Sequence, residues 1–104
     1  MAEVRLSIPS ERIAAFCRKW KIVELSLFGS VLRDDFGPDS DIDILVRFDP
    51  GYHPGIDEYT DMVDELQGIF GREVDLLSRS SVEASGNPWR KHAILAATRQ
   101  IFAA

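Results

Sequence analysis

The sequence predicts an α/β (α+β) domain in which a small mixed sheet carries helices packed on one face. Three observations carry that prediction. Ile22–Phe28 and Asp41–Phe48 alternate their side chains with the period of a half-buried strand. The stretch 56–70 repeats its apolar residues at steps of three and four. Clusters of Pro and Gly separate these runs.

Taken in order, a short strand is expected at Val4–Ile8, followed by a helix that opens at Pro9-Ser10. Ser10 suits an N-cap, and Ile13, Phe16, Cys17 and Trp20 recur at helical spacing. In the strand Ile22–Phe28, Val23, Leu25 and Leu27 alternate with Glu24 and Ser26. Gly29-Ser30 breaks it, and a short helical turn through Arg33 is expected next. In the strand Asp41–Phe48, Ile42, Ile44, Val46 and Phe48 share one face, and Asp41, Asp43, Leu45 and Arg47 share the other. Residues 49–55 read as a loop. The helix that follows carries Ile56, Tyr59, Val63, Leu66 and Phe70 as its apolar stripe, with Gly71 placed to cap its end. Glu73–Ser78 reads as a strand with Val74 and Leu76 inward. Asn87 as N-cap and Pro88 at the first helical position open a last helix, expected to end near Phe102. Its apolar residues surround more of the circumference than one core face uses, which suggests a second, partner-facing surface.

Length and composition bound the function. The 104 residues suit one domain, and 45% hydrophobic with 28% charged residues is a globular composition. With 12 Lys+Arg against 17 Asp+Glu the net charge is −5, which argues against extensive nucleic-acid binding through neutralised phosphates. Cys17 is the single cysteine, so neither an internal disulfide nor a multi-cysteine zinc site is expected. No signal peptide and no run of about 20 apolar residues is visible, so the expected location is cytoplasmic, with no membrane contact.

The chemistry concentrates in three carboxylates. Asp41 and Asp43 stand two apart on one strand, so their side chains project from the same face with Cα atoms about 6.5–7 Å apart. Such a pair is costly unless a cation lies between its members, and a hard divalent ion with oxygen ligands resolves it. Asp75 faces away from the core on a later strand and completes a three-carboxylate cluster if the two strands are neighbours. Upstream, Gly29 lets backbone approach a phosphate, Ser30 adds a hydroxyl donor, and Arg33, one turn later, could reach the same phosphates or a carboxylate. Each element alone has a bland reading: a turn, a solvated strand face, a surface acid. Asp39-x-Asp41-x-Asp43 also imitates a calcium loop, but Ile44 stands where that loop needs Gly and Pro50 where it needs Glu.

Taken together, Gly29-Ser30-x-x-Arg33, Ser40-Asp41-x-Asp43 and Asp75 resemble the nucleotidyltransferase superfamily of DNA polymerase beta. Within it they are most similar to the minimal nucleotidyltransferase (MNT) antitoxins of HEPN–MNT toxin–antitoxin pairs. The resemblance implies a polymerase-beta-like fold and a single minimal nucleotidyltransferase domain over residues 1–104. It implies Asp41, Asp43 and Asp75 as catalytic residues and ligands of two Mg²⁺ ions. Gly29, Ser30, Arg33 and Ser40 would bind the nucleotide, with ATP as substrate. The implied reaction is transfer of AMP to a tyrosine hydroxyl of a cognate HEPN ribonuclease toxin, in a hetero-oligomer with that toxin. One departure is Asp34, where many relatives carry a small residue. Two alternatives stay open: an antitoxin that neutralises by binding alone, and a nucleotidyltransferase acting on a small molecule. Retention of the repulsive Asp pair favours an enzyme, and the shortness of the chain disfavours a small-molecule pocket.

Overall fold

The computed structural model describes residues 8–29, 41–84, 86, 92 and 98–103. Its elements run α1 (Ser10–Lys19), β1 (Ile22–Phe28), β2 (Ile42–Phe48), α2 (Ile56–Phe70), β3 (Val74–Ser78), α3 (Arg79–Glu83) and β4 (Thr98–Ala103). The strands form one sheet in the order β3-β2-β1-β4. β1 lies antiparallel to both β2 and β4, whereas β2 and β3 are parallel, joined by the α2 crossover that parallel pairing requires. The sheet is therefore mixed.

The alternating residues of the central strands explain the core. Leu25 stands opposite Val46, Leu27 opposite Ile44, and Ile44 opposite Leu76, so one face of three strands is continuously apolar. α1 contributes Ile13, Phe16 and Cys17 to that layer, and α2 contributes Met62 and Leu66. The two long helices thus pack on one face. Burial pushes the Cys17 thiol up to about 12, so it is a small core residue and not a nucleophile.

Four local expectations change. Pro9, not Ser10, takes the N-cap position of the first helix, so no side chain caps its start. The buried face of α2 is wider than its expected stripe: Tyr59, Val63, Leu66 and Phe70 join the core as expected, Met62 and Ile69 join them, and Ile56 is 86% exposed. Gly71 caps the helix as expected, with φ 68° and its N–H donating to the Gln67 carbonyl at 2.7 Å.

The third change is α3, a five-residue turn on the reverse face of the sheet. Val82 packs there with Phe28, Leu45 and Leu77 in a separate small cluster. Ser78 caps it by accepting from the Ser81 N–H at 3.2 Å. The fourth is at the C-terminal end. The expected helix does not extend to Phe102: residues 98–103 are strand β4, paired along the open edge of β1. A register shift between Leu25 and Ser26 lets consecutive Ile101 and Phe102 both pack against the core. Ile101 and Phe102, two of the residues counted toward that helix's wide apolar surface, are instead on strand β4 and partly buried against the core. Trp89, Ile94 and Leu95, like the expected strand residues 4–7 and the turn at 31–33, lie outside the described residues. Among the described residues no helix is long and apolar enough to cross a membrane.

Candidate active site

The reverse face of the sheet, opposite the main core, carries the acidic residues. In the parallel ladder Asp43 of β2 is the direct partner of Asp75 of β3, so their Cα atoms stand one strand spacing apart, about 4.8 Å. Asp41 lies just before β2 and is exposed, one pleat further out than Asp43. On the other side of Asp43, the antiparallel ladder places Phe28, the last residue of β1. Gly29 follows with φ 74°. A Cβ built on Gly29 would overlap Asp43 Oδ2 and lie 3.1 Å from Cγ, so the carboxylate fills the space a side chain there would need.

The neighbourhood is half apolar. One pleat beyond Asp43 and Asp75 along the same face lie Leu45 and Leu77, covered by Val82 of α3. Low-polarity surroundings strengthen any charge interaction made beside them. Tyr59 of α2, an apolar-stripe residue in the sequence, packs against the main core, across the sheet from the acidic residues. Burial raises its phenol above the usual value, and the Asp75 carboxylate raises it further. Nothing in the spacing of the sequence pointed to that pairing, which depends on how α2 packs beside β3. A separate cavity of about 380 Å³, bounded by Phe48, Tyr52, Tyr59 and Ser78 among others, contains none of the three aspartates.

Of the expected site residues, the fold brings Asp43, Asp75 and Gly29 together, with Asp41 at the margin. Among the described residues no three carboxylate, imidazole or thiol groups close into one ligand set, so the three aspartates do not form a finished cluster. Ser30, Arg33 and Ser40 lie outside the described residues.

A family model described as the nucleotidyltransferase domain matches residues 10–100. The chain belongs to the nucleotidyltransferase domain family. Membership makes it an enzyme by class. This nucleotidyltransferase is 38% identical over 76 residues to a candidate protein adenylyltransferase of Methanocaldococcus jannaschii, an alignment covering 73% of each chain. Its fold is similar to a toxin–antitoxin crystal structure with AMP-PNP, at TM-score 0.70 and 18% identity, over 93% of this chain and 75% of that one. It is also similar to a re-refined complex of a tri-AMPylated Shewanella oneidensis HEPN toxin with an MNT antitoxin, at TM-score 0.62 and 18% identity, over 91% and 70% of the two chains.

The family implies a divalent metal, which the donor chemistry suits although the three carboxylates do not converge on one point in this structure. The donors are all carboxylate oxygens, the set that magnesium takes together with phosphate oxygens. Asp43 and Asp75 stand at neighbouring-strand distance, and the glycine beside them leaves the first carboxylate room to turn.

Proposed function

We propose that this nucleotidyltransferase is an antitoxin that transfers AMP from ATP to a tyrosine hydroxyl of a HEPN ribonuclease toxin and thereby silences it. The observation that carries the reading is the pairing of Asp43 with Asp75 beside the Gly29 turn. The adenylyltransferase relative and the two toxin–antitoxin structures support the acceptor class and the donor. Residues 1–104 act as one catalytic unit in the cytoplasm, bound to the toxin.

Asp41, Asp43 and Asp75 would hold Mg²⁺. When bound, it supplies positive charge for the triphosphate and lowers the pKa of the attacking hydroxyl. Ser30, Ser40 and Arg33 bind phosphate oxygens, while Gly29 keeps the backbone free of a side chain where the phosphates approach. Asp75, at the edge of the sheet and exposed, accepts the phenolic proton from the side where a partner can dock. The tyrosine oxygen forms a bond to the α-phosphorus, the bond from that phosphorus to the bridging oxygen breaks, and pyrophosphate leaves with the electron pair.

The test uses α-labelled ATP, Mg²⁺ and the HEPN protein. Wild type is expected to label the toxin on tyrosine, and Asp43→Asn and Asp75→Asn to reduce labelling to background while retaining the wild-type circular dichroism spectrum. Neutralisation of the toxin without any labelling would replace this reading with inhibition by binding alone.

A further inference from the structure

We infer that Gly29 is a positioning residue for the Asp43 carboxylate: its missing side chain is the space that lets this carboxylate lean away from Asp75. The inference rests on the nucleotidyltransferase reading of the site and adds a task to Gly29 beyond allowing phosphates to approach.

The geometry is specific. β2 has β1 on one side and β3 on the other, so Asp43 is flanked by Phe28-Gly29 and by Asp75. Asp43 Oδ2 lies close enough to overlap a Cβ built on Gly29, so the carboxylate is turned toward the β1 side, away from its acidic neighbour. Two carboxylates on adjacent strands repel, and turning one of them outward opens the gap between them. A methyl group at residue 29 would drive the Asp43 carboxylate back across β2 toward Asp75 or out of the site.

The molecule contains its own control. Gly71 has nearly the same backbone, φ 68° against 74° at Gly29, but a Cβ there would meet nothing within 4 Å. Substitution at Gly71 reports the strain of a left-handed residue alone. Substitution at Gly29 reports that strain plus displacement of Asp43.

Three measurements test this in the full chain. Thermal unfolding of Gly29→Ala, Asp43→Ala and the double variant measures coupling between the positions. The midpoint drop caused by Gly29→Ala is expected to exceed that of Gly71→Ala, and to shrink to the Gly71→Ala value in the Asp43→Ala background. If Gly29→Ala alone does not fold but the double variant does, the same coupling is demonstrated. Mn²⁺ titration with ATP, followed by electron paramagnetic resonance, is expected to show at least about tenfold weaker Mn²⁺ binding in Gly29→Ala and wild-type binding in Gly71→Ala. The Asp43 ¹³Cγ resonance is expected to move in Gly29→Ala and not in Gly71→Ala. Equal midpoint drops in both Asp43 backgrounds, with an unmoved ¹³Cγ resonance, would overturn the inference. A wild type that neither binds Mn²⁺ with ATP nor labels a toxin would instead overturn the nucleotidyltransferase reading, leaving the coupling and the resonance to decide the geometry.

Discussion

Glu65 ties α1 to α2 by accepting hydrogen bonds from the Lys19 ammonium and the Trp20 indole. Burial pushes its carboxyl up, but those two hydrogen bonds and the Lys19 charge outweigh burial and hold it below the ordinary range. A carboxyl depressed in the folded state contributes stability above its unfolded pKa of about 4.3, and that contribution is lost as pH falls through the folded value. Denaturant titrations between pH 3 and pH 7 are therefore expected to show an acid-side loss in wild type that is smaller in Glu65→Gln. Tyr59 has the opposite sign. Its phenol is neutral when folded and its pKa is raised by burial and by Asp75, so its contribution persists below the ordinary value of about 10 and is lost at higher pH. Replacing Asp75 by Asn should lower the Tyr59 titration midpoint read by phenolate absorbance without bringing it fully to the ordinary value, since burial remains. An unchanged midpoint would separate Tyr59 from Asp75. The candidate site residues Gly29, Asp41, Asp43 and Asp75 stand out at this scale by residue type and spacing, while the pairing of Asp43 with Asp75 does not. The effect of Asp75 on Tyr59 was not legible either, since aromatic residues in helical stripes are ordinarily core.

Elements whose signal is local were read accurately. β1 and α2 begin and end where alternation and the three-four repeat place them, because Gly29 and Gly71 terminate them with positive φ. β4 and α3 were not read, and for different reasons. β4 exists because β1 needs a partner on its free edge; Ile101 and Phe102 satisfy helical and extended patterns equally well until that edge is known. α3 is five residues long, too short for periodicity, and its one local signal is the Ser78 cap. Two outcomes follow at this scale. Phe102→Ala is expected to cost about 2 kcal/mol in chemical denaturation, a value appropriate to a partly buried aromatic and not to an exposed helix face. Ser78→Ala should cost about 1 kcal/mol through loss of the cap, with the far-ultraviolet spectrum nearly unchanged.

The whole molecule rests on the two central strands. Leu25, Leu27, Ile44 and Val46 are fully buried between β1 and β2 and the two long helices, so they join every layer of the fold. Leu25→Ala is expected to lower stability by about 2–5 kcal/mol, the range for emptying a packed leucine site. Because Asp43 and Asp75 depend on the same sheet, AMP transfer should fall with the folded fraction and recover at lower temperature. Activity lost at a temperature where the variant is still folded would argue instead for a direct role of the core in the site.

The amino-acid sequence by itself determined which residues are candidates for the chemistry, which of the central runs were strands or helix, and where most of those stopped. Those properties come from side-chain type and from periodicity within a dozen residues. Only the tertiary structure decided that β2 and β3 are parallel neighbours, that Asp43 therefore faces Asp75, that its carboxylate lies over Gly29, and that 98–103 closes the sheet edge. These are pairings between segments far apart in the chain. Hydrogen bonding along sheet edges and burial of a shared face select them, and neither leaves a local pattern to read.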